Sequence, residues 1–211
     1  MTKVLILGAG GQIARHVISD LAGDKQIDMT LFLRDASRLA NRPAGASLVQ
    51  GDVLDRATLD KAMAGQDLVY ANLTGSDLDD QAGSVIASMA AAGVKRLIFV
   101  LALGIYDEIP GAFGEWNRRM IGEDLKPFRR TADIIEASGL DETILRPAWL
   151  TDEDEIDYET TEKGKPFKGT VVSRKSVADL IAQIIRSPAT HVHANLGINK
   201  PRTDADKPYF M

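Results

Sequence analysis

The chain has 211 residues, 45% of them hydrophobic, which is enough for one well-filled α/β domain. Its formal net charge of −5 and pI near 5.3 argue against nucleic acid as a partner, because such binders present a basic face. There is no cysteine, so disulfides, thiolate nucleophiles and cysteine-ligated metals are excluded, and no apolar run approaches the ~20 residues of a membrane-spanning helix.

The first element expected is a strand over Lys3–Gly8, and nothing resembling a signal peptide precedes it, so a soluble cytoplasmic protein is expected. The glycine-rich stretch Gly8-Ala-Gly-Gly-Gln12 then leads into a helix over Gln12–Ala22. Further strands are expected over Met29–Arg34, Ala46–Gly51, Asp67–Asn72, Arg96–Ala102 and Glu142–Pro147. All are apolar and nearly continuous, as in a parallel sheet covered on both faces. Helices fill the gaps at Arg56–Ala64, Asp79–Ala92 and Arg130–Ser138, followed by Gly65, Gly93 and Gly139 where left-handed caps are wanted. A last helix over Lys175–Arg186 begins with Ser176 and Asp179 at capping-box spacing. This alternation predicts a Rossmann-like, doubly wound parallel sheet in a single domain. Residues 103–129 and 151–170 are the least regular. They follow the carboxyl ends of strands, where ligands bind in such sheets.

The glycine turn fits G-x-x-G-x-x-G/A through Gly8, Gly11 and Ala14, whereas G-x-G-x-x-G fails at Ile13. Gly8 turns the chain out of the strand, Gly10 and Gly11 let backbone approach a diphosphate, and the amides of Gln12 and Ile13 open the helix toward it. A dinucleotide is therefore expected. At the end of the second strand, where an acid would hold the ribose of NAD, the sequence has Arg34, with Arg38 one turn on. Guanidinium groups match a 2′-phosphate, which favours NADP, with NAD as the alternative because Asp35 can neutralise Arg34 or take the ribose hydroxyl itself.

With these residues placed, the sequence resembles the atypical short-chain dehydrogenase/reductases, in the NAD(P)H-binding group that includes NmrA-like proteins. Within it the closest likeness is to the flavin reductase/biliverdin-IXβ reductase type. The stretches GAGGQIA, LRDASRL, GDVLD, AGQDLVYANLTG, AAGVKRLIFVLALGIYDE, SGLDETILRPAWLTD and VVSRKSVADLI carry the resemblance across nearly the whole chain. It implies that Asp52 and Val53 flank an adenine, that Leu73, Thr74 and Gly75 lie along the cofactor, and that Pro147, Trp149 and Leu150 border the nicotinamide. Asp55 is separately expected to cap the following helix.

Many short-chain dehydrogenases add a serine after the fifth strand and a Tyr-x-x-x-Lys pair that handles a proton. Here the serine position reads Leu101–Ala102, and the pair falls on Leu125 and Arg129. Alcohol–ketone interconversion and sugar epimerisation thus lose their proton relay. Hydride transfer to a quinone, flavin or tetrapyrrole-like acceptor needs only orientation and exclusion of water. The alternative is a non-catalytic NADP(H) sensor of NmrA-like type that reports to a protein partner. Neither reading calls for a membrane or nucleic acid.

No catalytic residue is assigned. Tyr106 is a weak candidate, needing a lowered pKa, and packing is the stronger expectation for it. Phe113, Trp116 and Met120 fall over the expected mouth, suited either to an apolar wall or lid for a flat substrate or to core packing, and Trp149 is better placed for stacking. Arg118, Arg119, Lys126, Arg129 and Arg130 form a basic cluster suited either to steering an anion or to a solvated helix face. The six carboxylates of Asp152–Glu159 read as a solvated loop, and His16, His191 and His193 show no metal-site pattern.

Overall fold

The computed structural model describes residues 1–39 and 42–211. The N-terminal half follows the expected alternation: β1 Thr2–Leu7, α1 Gln12–Leu21, β2 Ile27–Leu33, β3 Ser47–Gln50, α2 Arg56–Met63, β4 Leu68–Ala71, α3 Leu78–Ala92 and β5 Arg96–Val100. It continues with α4 Gly111–Ile121, α5 Leu125–Glu136, β6 Asp141–Pro147, β7 Trp149–Thr151, β8 Glu159–Glu162, β9 Val171–Ser173, α6 Arg174–Arg186 and β10 Ala194–Asn199. The main sheet runs β3-β2-β1-β4-β5-β6-β10-β8, parallel except for β8, while β7 and β9 pair separately in parallel. Strand order reverses between β1 and β4, and that switch point opens a crevice beyond the strands' carboxyl ends.

Strand residues alternate between two cores. Val4, Ile6, Leu31, Tyr70 and Ile98 belong to one core with α1 and α6, whereas Leu5, Leu7, Phe32, Val69 and Leu97 belong to the other with α2, α3 and α5. Both faces of the sheet are covered, which explains the nearly unbroken apolar strands. Among the described residues, no helix is long and apolar enough to cross a membrane.

Several local expectations require correction. The stretch 103–129 is largely helical: it contains α4, and α5 begins at Leu125 rather than Arg130. Pro127 lies in the first turn of α5, where a missing N–H costs nothing, so it does not break the helix. The stretch 151–170 holds β8, paired antiparallel on β10, and is flanked by the β7–β9 pair. The capping box is displaced, because Ser173 caps α6 by accepting from the Ser176 N–H at 2.9 Å, while Asp179 accepts from Gln183 and Tyr158. Asp55 does cap α2, accepting from Thr58. His191 and His193 sit in a turn with φ of 54° each, and His193 Nδ1 lies 3.0 Å from Glu142.

Candidate functional site

The turn after β1 is built from backbone contacts. Gly8 N–H donates to Phe32 O on β2, Asn72 N–H donates to Leu7 O from the end of β4, and Gly11 N–H returns to Gly8 O at 2.9 Å. Gly8 has φ +73°, and a Cβ there would lie 2.3 Å from Asn72 O. A Cβ on Gly11 would lie 2.0 Å from Asn72 Nδ2. Backbone and the Asn72 side chain thus fill the space that any larger residue would need, and α1 starts directly above with its amides facing the crevice.

That crevice is a cleft of about 680 Å³. It brings together the expected residues Gly8, Gly10, Gly11, Gln12 and Ile13 with Arg34, Arg38, Asp52, Val53, Leu73 and Thr74, and reaches Leu150 on β7. Sequence reasoning missed Asn72, Asp77, Gln81 and Arg174 on its walls. Asn72 directly follows β4 and was readable in YANLTG. Arg174 reaches the cleft only through the β7–β9 pairing, which no local pattern signals.

Other expected positions lie off the cleft wall. Gly75 is turned toward Asp77 and Gln81, Ala102 packs with the α5-side core, and Pro147 is in β6 with its carbonyl accepting from Leu103 N–H. Trp149 packs against Trp116 with ring centroids 4.9 Å apart and planes tilted by 57°, and its indole N–H donates to Asn117 Oδ1 at 2.9 Å. These two tryptophans, with Phe113, pack on the α1/α6-side core, and Leu150 touches that core as well while lining the cleft.

Tyr106 belongs to a separate polar network. Its hydroxyl donates to Glu136 Oε1 at 2.9 Å and accepts from Asn195 Nδ2 at 2.8 Å. Lys163 Nζ lies 2.7 Å from both Glu136 oxygens and 4.3 Å from the Tyr106 ring centre, and the Arg129 guanidinium covers the same ring at 4.6 Å. Burial, followed by the Glu136 carboxylate, pushes the Tyr106 hydroxyl above the usual tyrosine range. Burial alone would raise Glu136, but hydrogen bonds from Lys163, Tyr106 and Asn195 hold it below the usual carboxylate range. Tyr106 is therefore a neutral packing and hydrogen-bonding residue at physiological pH. It is unsuited to releasing or taking a proton.

At the β2 end of the cleft, Asp35 accepts from the Ser37 N–H and hydroxyl, which hold its carboxyl below the usual range. It therefore caps a short turn rather than neutralising Arg34. Among the described residues, Arg34 and Arg38 have no carboxylate partner. The basic cluster on α4 and α5 differs: Arg118, Lys126, Arg129 and Arg130 are paired with Asp107, Glu123, Asp133 and Asp79. That pairing makes it a solvated face. In the acidic run, Asp152 pairs with Arg174, Asp154 with Lys175, and Glu153 and Glu155 with Lys200. Among the described residues no cluster of His, Asp and Glu is arranged to hold a metal ion.

The residues fit a dinucleotide. The cradle at Gly8 and Gly11 excludes any Cβ, the helix amides face it, and two unpaired guanidinium groups stand at one end.

Comparison with known proteins agrees with this geometry. The model of a family described as NAD(P)H-binding matches residues 8–188. A solved Rossmann-fold NAD(P)-binding family protein from Shigella flexneri is 60% identical, with each chain fully covered and a TM-score of 0.88. A short-chain dehydrogenase/reductase from Veillonella parvula, solved in complex with NADP, shares the fold at TM-score 0.88 and 24% identity over 99% of each chain. The uncharacterized sugar epimerase YhfK of Bacillus subtilis is 31% identical over 85% of this chain and 86% of its own length. The (4-alkanoyl-5-oxo-2,5-dihydrofuran-3-yl)methyl phosphate reductase of Streptomyces griseus is 31% identical over 68% of this chain, which spans only 46% of that protein.

Proposed function

The chain belongs to this NAD(P)H-binding family, and from that premise we propose that it is an NADPH-dependent reductase of a flat, conjugated acceptor of quinone, flavin or tetrapyrrole type. One observation carries the reading. The cleft is lined by the glycine turn, the start of α1 and two arginines, as a dinucleotide would need, while the one tyrosine expected near its reactive end is bound into the Glu136–Asn195 network. Such a site orients a hydride donor without supplying a proton relay. That arrangement suits acceptors whose proton comes from solvent.

In this reading the amides above Gly8–Ile13 hold the diphosphate, and Arg34 and Arg38 hold the 2′-phosphate. Asp52 and Val53 flank the adenine, Leu73 and Thr74 run beside the middle of the cofactor, and Leu150 closes the nicotinamide end against water. The bound cofactor supplies the hydride. The NADP complex of the Veillonella relative and the reductase activity in the Streptomyces relative's name support the assignment. The epimerase name of YhfK favours a proton-shuffling alternative, but Leu125 and Arg129 occupy the positions that chemistry would need.

Mixing the protein with NADPH and a panel of quinones and flavins gives loss of the reduced-nicotinamide absorbance with at least one of them. Micromolar cofactor binding without turnover on any acceptor contradicts the enzymatic reading and favours a redox sensor acting through a protein partner. For cofactor choice, Arg34→Ala weakens NADPH binding by about 1–3 kcal/mol and leaves NADH binding nearly unchanged. An unaltered NADPH/NADH ratio contradicts the NADP assignment.

A further inference from the structure

Arg174 is the first residue of α6, and it lines the cleft. Its position follows from β7–β9 pairing: Thr151 stands opposite Ser173, so Arg174 emerges beside Asp152 and near Leu150. The side chain is only 16% exposed. Its Nη1 reaches Asp152 Oδ1 at 2.8 Å, but its Nε is buried and has no acceptor among the described residues. A buried, charged N–H left without a partner is costly, and such groups recur where a ligand completes the bond.

The surroundings say where that ligand's charge sits. Helices α1 and α6 run side by side, with Arg186 near the end of α6 bonded to Asp20 O and paired with Asp24 at the end of α1. Both helices start at the cleft, whose lining includes Gln12, Ile13, Leu150 and Arg174. Arg34 and Arg38 come from the β2 end instead. On the dinucleotide reading above, we infer that Arg174 is a specificity-determining anchor for a phosphate or carboxylate oxygen held between the α1 amides and Leu150. Two sources supply that chemistry: the cofactor's diphosphate, or an acid group on the acceptor. The guanidinium's fixed N–H directions suit either. The neighbouring Asp152 carboxylate is 76% exposed and competes only weakly for the charge.

The test is calorimetric binding to the intact chain and to Arg174→Gln, using NADPH, NADH, ADP-ribose and AMP. FMN and riboflavin, which differ by one phosphate, are then titrated into the protein loaded with NADP⁺. A loss of about 10- to 100-fold shared by NADPH, NADH and ADP-ribose identifies the diphosphate as the anchored group, and AMP shares the loss only where the adenosine-side phosphate is the one held. A preference for FMN over riboflavin that disappears in the variant, with cofactor binding unchanged, identifies the acceptor's acid. No change in either series overturns the inference while leaving the cofactor reading intact. Failure of the intact chain to bind NADPH or NADH overturns that reading itself. If Arg174→Gln does not fold, Arg174→Lys decides: it keeps the charge but loses the fixed N–H directions and weakens the same ligands about 3- to 10-fold, and unchanged binding overturns the inference.

Discussion

Arg146→Met lowers the unfolding free energy by about 3–5 kcal/mol. Arg146 is 1% exposed on β6 and pairs with Glu108, whose side chain is 6% exposed. Its Nε also donates to Asn195 Oδ1 at 2.7 Å, and its guanidinium lies 5.4 Å from the Tyr106 ring centre. Glu108 keeps two backbone donors, Gly104 N–H at 3.1 Å and Tyr106 N–H at 2.9 Å, but these do not neutralise a buried carboxylate. Methionine fills similar volume, so the loss comes from stranding the charge rather than from a cavity. Changing both partners, Arg146→Met with Glu108→Gln, recovers part of the loss, because no charge is stranded and the amide oxygen still accepts a backbone N–H of the Gly104–Tyr106 turn. Urea unfolding of the two variants decides the matter. A single variant within about 1 kcal/mol of the parent contradicts a buried ion pair at this position.

Gly8→Ala costs about 2–4 kcal/mol in stability and removes cofactor binding altogether. Two independent physical terms act there. The positive φ of 73° disfavours any L side chain, and the added Cβ would lie 2.3 Å from a backbone carbonyl that cannot swing away. Asn72, which supplies that carbonyl, is fixed by its own N–H to Leu7 O. Relief requires β1 and β4 to separate at the switch point, which distorts the cradle. Gly65→Ala is the control: it also has positive φ, 74°, but nothing lies within 4 Å of its added Cβ. It therefore loses about 1–2 kcal/mol from backbone strain alone and keeps cofactor binding. Equal cofactor affinity in Gly8→Ala and the parent contradicts the role given to the turn.

The first six strands and the glycine turn were legible because their signals are local. Continuous apolar runs mark doubly covered strands, and glycines mark left-handed exits. The cleft residues expected from sequence all lie within a few positions of a strand's carboxyl end, after β1, β2, β3, β4 and, for Leu150, β6. Past β6, local signals find α6 but miss the strands. β7 and β9 are three residues each, β10 contains Gly197 with the Phe167 ring packed on it, and β8 alternates polar residues on a sheet edge. Such strands are defined by their partners rather than by their own composition. For the same reason Arg174 was invisible while Arg34 was not. Tyr106 was located beyond β5 correctly, but its engagement with Glu136, Asn195 and Lys163 depends on residues 30 to 89 positions away.

The most direct test of the cofactor assignment is thermal unfolding with NADPH or NADH present at about 100 times its dissociation constant. The account predicts a rise in melting temperature of about 5–10 °C, larger for NADPH at equal concentration. A melting temperature that neither coenzyme moves, even at millimolar concentration, contradicts it.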